Sequence, residues 1–258
     1  MHRSELTMHK QMRVIAIVPA YNEALAIVSV VTGLTALMDT SGRPLLARVI
    51  VADNGSTDGT GHLAAEAGAM VVREPRRGYG YACMAGIKAA QDADILLFVD
   101  GDHSIVYAEA NALLAPFNDG ADLVIGARVN IAPGAMTLPQ IFGNGLACRL
   151  SRLLWQVPMS DLGPFRAITQ RALWQIDMQD MTYGWTVEMQ LRAFELGQNV
   201  VEVPVSLNCR IGQSKVSGTV RGVLGAGIGI FSMIGKLWWR SRRRLGLARQ
   251  SHEANLKL

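Results

Sequence analysis

The feature that most constrains the fold is a run of five apolar residues, Ile95, Leu96, Leu97, Phe98 and Val99, which ends on Asp100-Gly101-Asp102. An unbroken apolar run offers no wet face. It therefore reads as a strand buried on both sides, as in a parallel sheet covered by helices. Ligands of such open sheets gather beyond the carboxyl ends of the strands. Both carboxylates then fall at the mouth of a crevice. They are two hard oxygen donors, suited to a Mg2+ or Mn2+ ion that also holds a diphosphate. The competing reading is a solvated turn, because Asp and Gly are ordinary turn formers.

The rest of the first half alternates in kind. Residues 14–18 form an apolar strand ended by Pro19, and 24–38 read as a helix. Residues 48–52 form a second strand, and the 53–58 loop after it carries turn chemistry and an N-cap for a helix running to near residue 67. A strand at 69–73 leads through Arg76-Arg77-Gly78-Tyr79-Gly80 into a helix over 81–91, and 122–126 supplies a further strand. Alternation of this sort implies an α/β fold, with a mostly parallel central sheet and helices on both faces. The second half is less regular. A loop at 131–139 precedes a helix at 141–155 carrying Arg149 and Arg152, a helix at 187–196 stops at Gly197, and 200–203 is a strand.

Composition narrows the class. A chain of 258 residues, half of them hydrophobic, is enough for one large domain with an appendage. The net charge of +4 is partly local, because Arg240, Arg242, Arg243 and Arg244 crowd together. Such a patch suits phosphates or lipid head groups, and no nucleic-acid-binding motif accompanies it. The three cysteines lie far apart without metal-ligand spacing, and read as reduced, mostly buried thiols of a cytoplasmic protein. Residues 1–13 lack the apolar core of a signal peptide.

Residues 220–239 are apolar, but Arg221 and Lys236 leave only 14 uninterrupted positions. A membrane span needs roughly 20. Val223, Leu224, Ile228, Phe231, Ile234, Leu237 and Trp238 fall at helical spacing. With Trp239 and the arginines they suit a helix lying at the inner face of the cell membrane. The alternative is a helix packed on its own domain or on a second subunit of a homo-oligomer. The expected division is a tail at 1–13, a main domain at 14–218, a C-terminal apolar and basic helix at 219–245, and a tail at 246–258.

Four stretches carry a family resemblance. Val-Pro-Ala-Tyr-Asn-Glu at 18–23, Ala-Asp-Asn-Gly-Ser-Thr-Asp-Gly-Thr at 52–60, Arg-Gly-Tyr-Gly at 77–80 and Val-Asp-Gly-Asp at 99–102 follow in an order and spacing that resembles the family 2 glycosyltransferases of the Rossmann-like GT-A fold. Gly143-Asn144, Ser160-Asp161, Gly163-Pro164-Phe165-Arg166 and the 210–215 stretch from Arg210 to Lys215 resemble the branch of dolichyl-phosphate mannose synthases and bacterial polyprenyl-phosphate sugar synthases.

The resemblance implies an inverting, metal-dependent hexosyl transfer from a nucleoside-diphosphate sugar, either a UDP-sugar such as UDP-glucose or GDP-mannose. The implied acceptor is a polyprenyl phosphate at a membrane surface. A soluble transferase for a small hydroxyl acceptor and a silent nucleotide-sugar-binding module are the competing readings. Nucleotide contacts are implied at Pro19, Ala20, Tyr21, Glu23, Asp53, Gly55, Ser56, Gly78, Asp100 and Gly101, with Tyr21, Glu23 and Asp53 at the base and ribose. Asp100 and Asp102 match the metal motif. Ser104 stands where the mannose synthase pattern carries a further ligand, Gln.

Arg210 and Lys215 are placed on the phosphates, Arg as a two-pronged donor and Lys as a point charge. A solvated basic loop is the plainer account of both. Asp161 is the candidate general base for a hydroxyl acceptor. A phosphate monoester with a second pKa of about 6 is already largely ionised. For that acceptor Asp161 orients groups instead. Its structural alternative is an N-cap or an ion pair with Arg166. Glu188 reads as an acid at a helix start, and His103 as a lone histidine of low specificity.

Overall fold

The structure, a computed structural model, describes residues 12–212 and 220–255. Lys215, assigned above to phosphate binding, lies outside the described residues. Seven strands form one sheet: β1 (Val14–Ala20), β2 (Arg48–Asp53), β3 (Met70–Arg73), β4 (Ile95–Phe98), β5 (Leu123–Ile131), β6 (Arg166–Thr169) and β7 (Val200–Leu207). Their order is β3-β2-β1-β4-β6-β5-β7. Strands β3, β2, β1 and β4 run parallel, and β7 is parallel to β5. Strand β6 alone is antiparallel, pairing with both β4 and β5. The helices are α1 (Ile27–Thr35), α2 (Thr60–Glu66), α3 (Tyr79–Ala89), α4 (Ala110–Leu114), α5 (Leu138–Trp155), α6 (Gln170–Ile176), α7 (Trp185–Glu195) and α8 (Val220–Asn255).

The central strands β1 and β4 are buried on both faces because they are apolar at every position. Val14, Ala16, Val18, Ile95, Leu97 and Val99 enter one core beneath α1, α2 and α4. Ile15, Ile17, Leu96 and Phe98 enter the other, beneath α3, α6 and α7. The period of two between successive side chains produces this division. A third cluster joins Ala147 and Cys148 of α5 to Val187 and Leu191 of α7 and to Met233, Ile234 and Leu237 of α8.

Several boundaries depart from the sequence reading. Strand β1 continues through Pro19, which pairs with Ala52. The β4 ladder has already ended at Ile17 opposite Phe98. Ala20 O accepts from Asn54 N on the β2 side. Alternate residues of a strand face opposite neighbours, so the missing donor of Pro19 points where no ladder remains. Helix α1 begins at Ile27 rather than 24, because Glu23 O already accepts from the amides of Ala26 and Ile27 in a turn. The N-cap expected before α2 is Gly59, in the left-handed region at φ 90°; Asp58 instead accepts from Thr60 N at 3.0 Å.

Strand β6 and helix α6 escape sequence reading. Each spans two turns or less and shows no period of its own. Helix α8 runs to Asn255, past the expected end at 245. Of its apolar stripe, Ile234 and Leu237 are buried against α5 and α7, so that part packs on its own domain. No described helix is long and apolar enough to cross a membrane. Cys83 and Cys148 are buried as expected, whereas Cys209 is exposed; all three are free.

Candidate active site

The carboxyl edge of the parallel strands opens into a cavity of about 810 Å³. Its lining comes from every expected loop and its flanks: Pro19 and Ala20 at the end of β1 with Tyr21 and Glu23 after it, Asn54 after β2, Arg77 and Gly78 before α3 with Tyr79 and Ala82 on that helix, and Asp100, Gly101 and Asp102 after β4. Arg210 beyond β7 and Thr182 and Tyr183 before α7 complete it.

The two acids are held differently. Asp102 Oδ1 accepts from Ser104 N at 3.0 Å and from Ser104 Oγ at 2.6 Å, while Oδ2 lies 3.4 Å from Arg210 Nη1. Ser104 thus orients Asp102. Asp100 Oδ1 accepts from Tyr79 Oη at 3.3 Å. Burial, and then the charge of Asp102 nearby, push the Asp100 carboxyl up to about 7. Arg210 Nη2 also pairs with Glu23 Oε1 at 2.9 Å. Arg77 lies 3.7 Å over the ring of Tyr21, a cation–π contact.

A divalent cation fits this donor set. Two hard carboxylates open on one cavity, and one of them is destabilised as an anion by burial and by its neighbour, the strain a cation relieves. Among the described residues no group of three or more His, Cys, Asp or Glu is arranged as a metal cage. The protein would contribute these two acids, leaving other positions to phosphate and water.

Asp100 gives a pH signature. Between its ordinary 3.8 and about 7 the folded chain holds a proton that the unfolded chain has released. Raising pH through that window therefore favours unfolding. Without divalent cation, the urea midpoint should fall from this group as pH rises from 4 towards 7, and Asp100→Asn should flatten that component. An identical slope in the variant would refute the assignment.

Other anticipated contacts are not at the lining. Asp53 is buried and accepts from Ser56 N at 2.9 Å. Ser56 Oγ accepts from Asn22 N at 3.0 Å, and Thr60 Oγ1 from Glu23 N at 2.9 Å. The 53–60 loop thus positions the Tyr21–Glu23 segment, with Asn54 alone of that loop reaching the cavity. Gly55 sits beneath Arg77, 3.8 Å from its Cζ to an added Cβ. His103 is committed to Tyr107, with Nδ1 2.9 Å from the hydroxyl.

Gly78, which lines the cavity, and Gly80 also make room for a backbone crossing. A Cβ on Gly78 would lie 2.3 Å from Met181 O, and one on Gly80 would lie 2.5 Å from Asp180 O. Both glycines let the 180–181 backbone cross the start of α3. That crossing is fixed in turn by buried Glu188, which accepts from the amides of Gln179 and Asp180 at 3.0 and 2.7 Å. Gly80→Ala should destabilise the fold by about 1–3 kcal/mol through overpacking against backbone. Equilibrium unfolding measures it, and a loss under about 0.5 kcal/mol would contradict the close crossing.

Asp161 is 5% exposed and does not line the cavity. Its Oδ2 accepts from the backbone N–H and Nε of Arg128 at 2.9 and 2.7 Å, and its Oδ1 from Arg128 Nη2 at 2.6 Å. Burial alone would raise its pKa, but the Arg128 bonds outweigh that and hold the carboxyl below its usual value. The partner is Arg128 rather than Arg166. Arg166 is buried and donates to the carbonyls of Leu162, Gly163 and Thr186. Asn54, Arg77, Tyr79, Ala82, Thr182 and Tyr183 are lining residues to which the sequence assigns no individual contact. The aromatic pair Tyr183 and Trp185 just before Glu188 is the sequence signal for the last of these.

A parallel sheet with a two-acid cavity at its carboxyl edge is the architecture of nucleotide-sugar transferases of the GT-A type. The family model for glycosyl transferase family 2 matches residues 15–176, and the chain belongs to that family. It is a glycosyltransferase. An uncharacterized glycosyltransferase of Mycobacterium tuberculosis is 39% identical over 178 residues, 68% of this chain and 80% of that one. The undecaprenyl-phosphate mannosyltransferase of Micrococcus luteus is 30% identical over 252 residues, 92% of this chain and 100% of that one. The fold is shared with glucosyl-3-phosphoglycerate synthase of Mycobacterium tuberculosis, solved with Mn2+, UDP and phosphoglyceric acid, at a TM-score of 0.68 and 22% identity over 87% of this chain and 78% of that chain.

Proposed function

We propose that this chain transfers a hexose, with inversion, from a nucleoside-diphosphate sugar to a polyprenyl phosphate. The observation that carries the reading is the cavity in which Asp100 and Asp102 share one space with Arg77 and Arg210. Acids for a cation and guanidiniums for phosphate suit a diphosphate donor better than a neutral ligand. The Micrococcus luteus relative, matched over nearly the whole chain, is named for a lipid-phosphate acceptor.

The acceptor oxygen attacks the anomeric carbon, the bond from that carbon to the diphosphate oxygen breaks, and the nucleoside diphosphate leaves with the electron pair. A bound Mg2+ or Mn2+ supplies Lewis-acid stabilisation of the charge that develops there. Arg210 exchanges its contacts with Glu23 and Asp102 for leaving-group oxygens, adding directed donors. Tyr21 with Arg77 above it forms a stacking wall for the base. Lys215 remains a proposed phosphate contact.

A phosphate acceptor needs no deprotonation, and one ion pair supports that reading. Asp161 is ion-paired with Arg128, which supports an orienting role over proton abstraction. That pairing supports phosphate over a hydroxyl acceptor, which requires a free base.

The test is a thermal-shift screen of UDP, GDP and their sugars with and without Mn2+, followed by labelled-sugar transfer to polyprenyl phosphate and to simple alcohols. A ligand at a hundred times its Kd should add about 2.7 kcal/mol of apparent stability. Cation-independent stabilisation, or transfer to alcohols alone, would overturn the respective halves of the proposal.

A further inference from the structure

Helix α5 exposes an apolar stripe with no partner among the described residues. Leu138 is 81% exposed, Phe142 and Leu153 are both 73% exposed, and Ile141 and Leu146 are exposed beside them. At 3.6 residues per turn these five positions, with Arg149 and Arg152, fall within an arc of roughly 140°. The opposite face, Ala147, Cys148 and Ser151, is buried. The helix is firmly started, since Thr137 and Gln140 form a capping box. An ordinary surface helix would present polar residues on this arc.

Charge identifies the occupant. Helix α5 contains two arginines and no acid. Helix α8, which packs on α5, contains one acid, Glu253, and many bases. It exposes Leu224, Ile228 and Trp239, with Arg243 lying 3.8 Å over the Trp239 ring. On these two helices the charges beside the exposed apolar side chains are cations, which suits a surface that is apolar within and anionic at its border. A twofold pairing of this face with itself would bring arginines together with no acid to meet them.

We propose that the α5 stripe of Leu138, Ile141, Phe142, Leu146 and Leu153, with Arg149 and Arg152, docks this protein on an anionic lipid bilayer. Sequence reading left α8 between membrane contact and packing on its own domain or on a second subunit. The structure spends Ile234 and Leu237 of that helix on the core and leaves the wider face on α5. Asn144 of α5 faces inward, and its Oδ1 accepts from Arg128 Nη2 at 3.3 Å and from Leu162 N at 3.1 Å. Docking therefore holds the bilayer next to the segment that carries Asp161. The inference deepens the lipid-acceptor reading and rests on it only for its purpose, not for the binding itself.

The test is flotation of the full chain with vesicles of phosphatidylcholine alone, or of equal parts phosphatidylcholine and phosphatidylglycerol, without donor or polyprenyl phosphate. The chain should float with the anionic vesicles and not with the neutral ones. Phe142→Ser with Leu146→Ser should weaken binding by about tenfold or more. Arg149→Gln with Arg152→Gln should weaken it and reduce its salt sensitivity. All four side chains are exposed, so melting temperature and cation-dependent donor stabilisation should stay unchanged. Absence of binding to anionic vesicles, or full binding by both double variants, would overturn the proposal. So would a wild-type dimer that the Phe142→Ser, Leu146→Ser variant dissolves while vesicles leave it intact. Because the vesicles hold no acceptor, docking can succeed even where transfer to polyprenyl phosphate fails, and the two failures stay separate.

Discussion

Asp102→Asn is expected to lower sugar transfer by at least about a hundredfold while the protein still folds. Asp102 hangs at the end of β4 with one oxygen fixed by Ser104 and the other near Arg210 in the cavity. Asn keeps an oxygen for Ser104 and so preserves the loop. It loses the negative charge on which a cation depends, and it puts an amide N–H2 where Arg210 now approaches. Stabilisation by donor should lose its dependence on Mn2+ in the same variant. Turnover at the wild-type rate would remove the acid pair from the mechanism. Ser104→Ala provides a graded control: it keeps the charge and releases its orientation, which should cost about tenfold rather than a hundredfold.

The second large effect is on stability. Asp161→Ala should cost about 3–5 kcal/mol, because it strands the Arg128 guanidinium in a site where only 13% of that side chain is exposed. Urea unfolding of the variant reads this directly. Replacing both partners with apolar residues, Asp161→Leu with Arg128→Met, should recover much of the loss, since no charge is then left without its mate. The same pair separates orientation from base catalysis. A base would impose its own pKa on the acid side of the kcat/KM profile, and Asp161→Asn would erase that limb. An orienting acid leaves the profile's shape unchanged while the rate drops. Recovery of stability in the single Ala variant, or an erased limb in Asp161→Asn, would each contradict the ion-pair account.

Much of this was readable from local chemistry. The apolar run 95–99 names a doubly covered strand because water cannot be accommodated on either of its faces. The loops at 19–23, 53–58, 76–80 and 100–102 follow strands or precede helices, and topology alone delivers them to one edge. What they do there was less readable. Asp53 and Ser56 have the residue types of ligand contacts, yet Asp53 Oδ1 accepts from Ser56 N within its own loop and Ser56 Oγ accepts from Asn22 N of the loop after β1. Gly78 and Gly80 look like phosphate glycines, and the backbone they admit is their own chain's, a hundred residues later in sequence.

The chain's order of apolar runs, turn residues and acids was sufficient by itself to determine a layered α/β domain with paired carboxylates at a strand end, because burial period and turn preference act over a few neighbouring residues. Contacts between distant segments decided the remainder. They turned β6 against its neighbours, gave Asp161 to Arg128 instead of Arg166, and left α5 rather than α8 with the broad uncovered face. Such choices depend on which surfaces remain after the core has closed, and no short stretch of sequence carries that information.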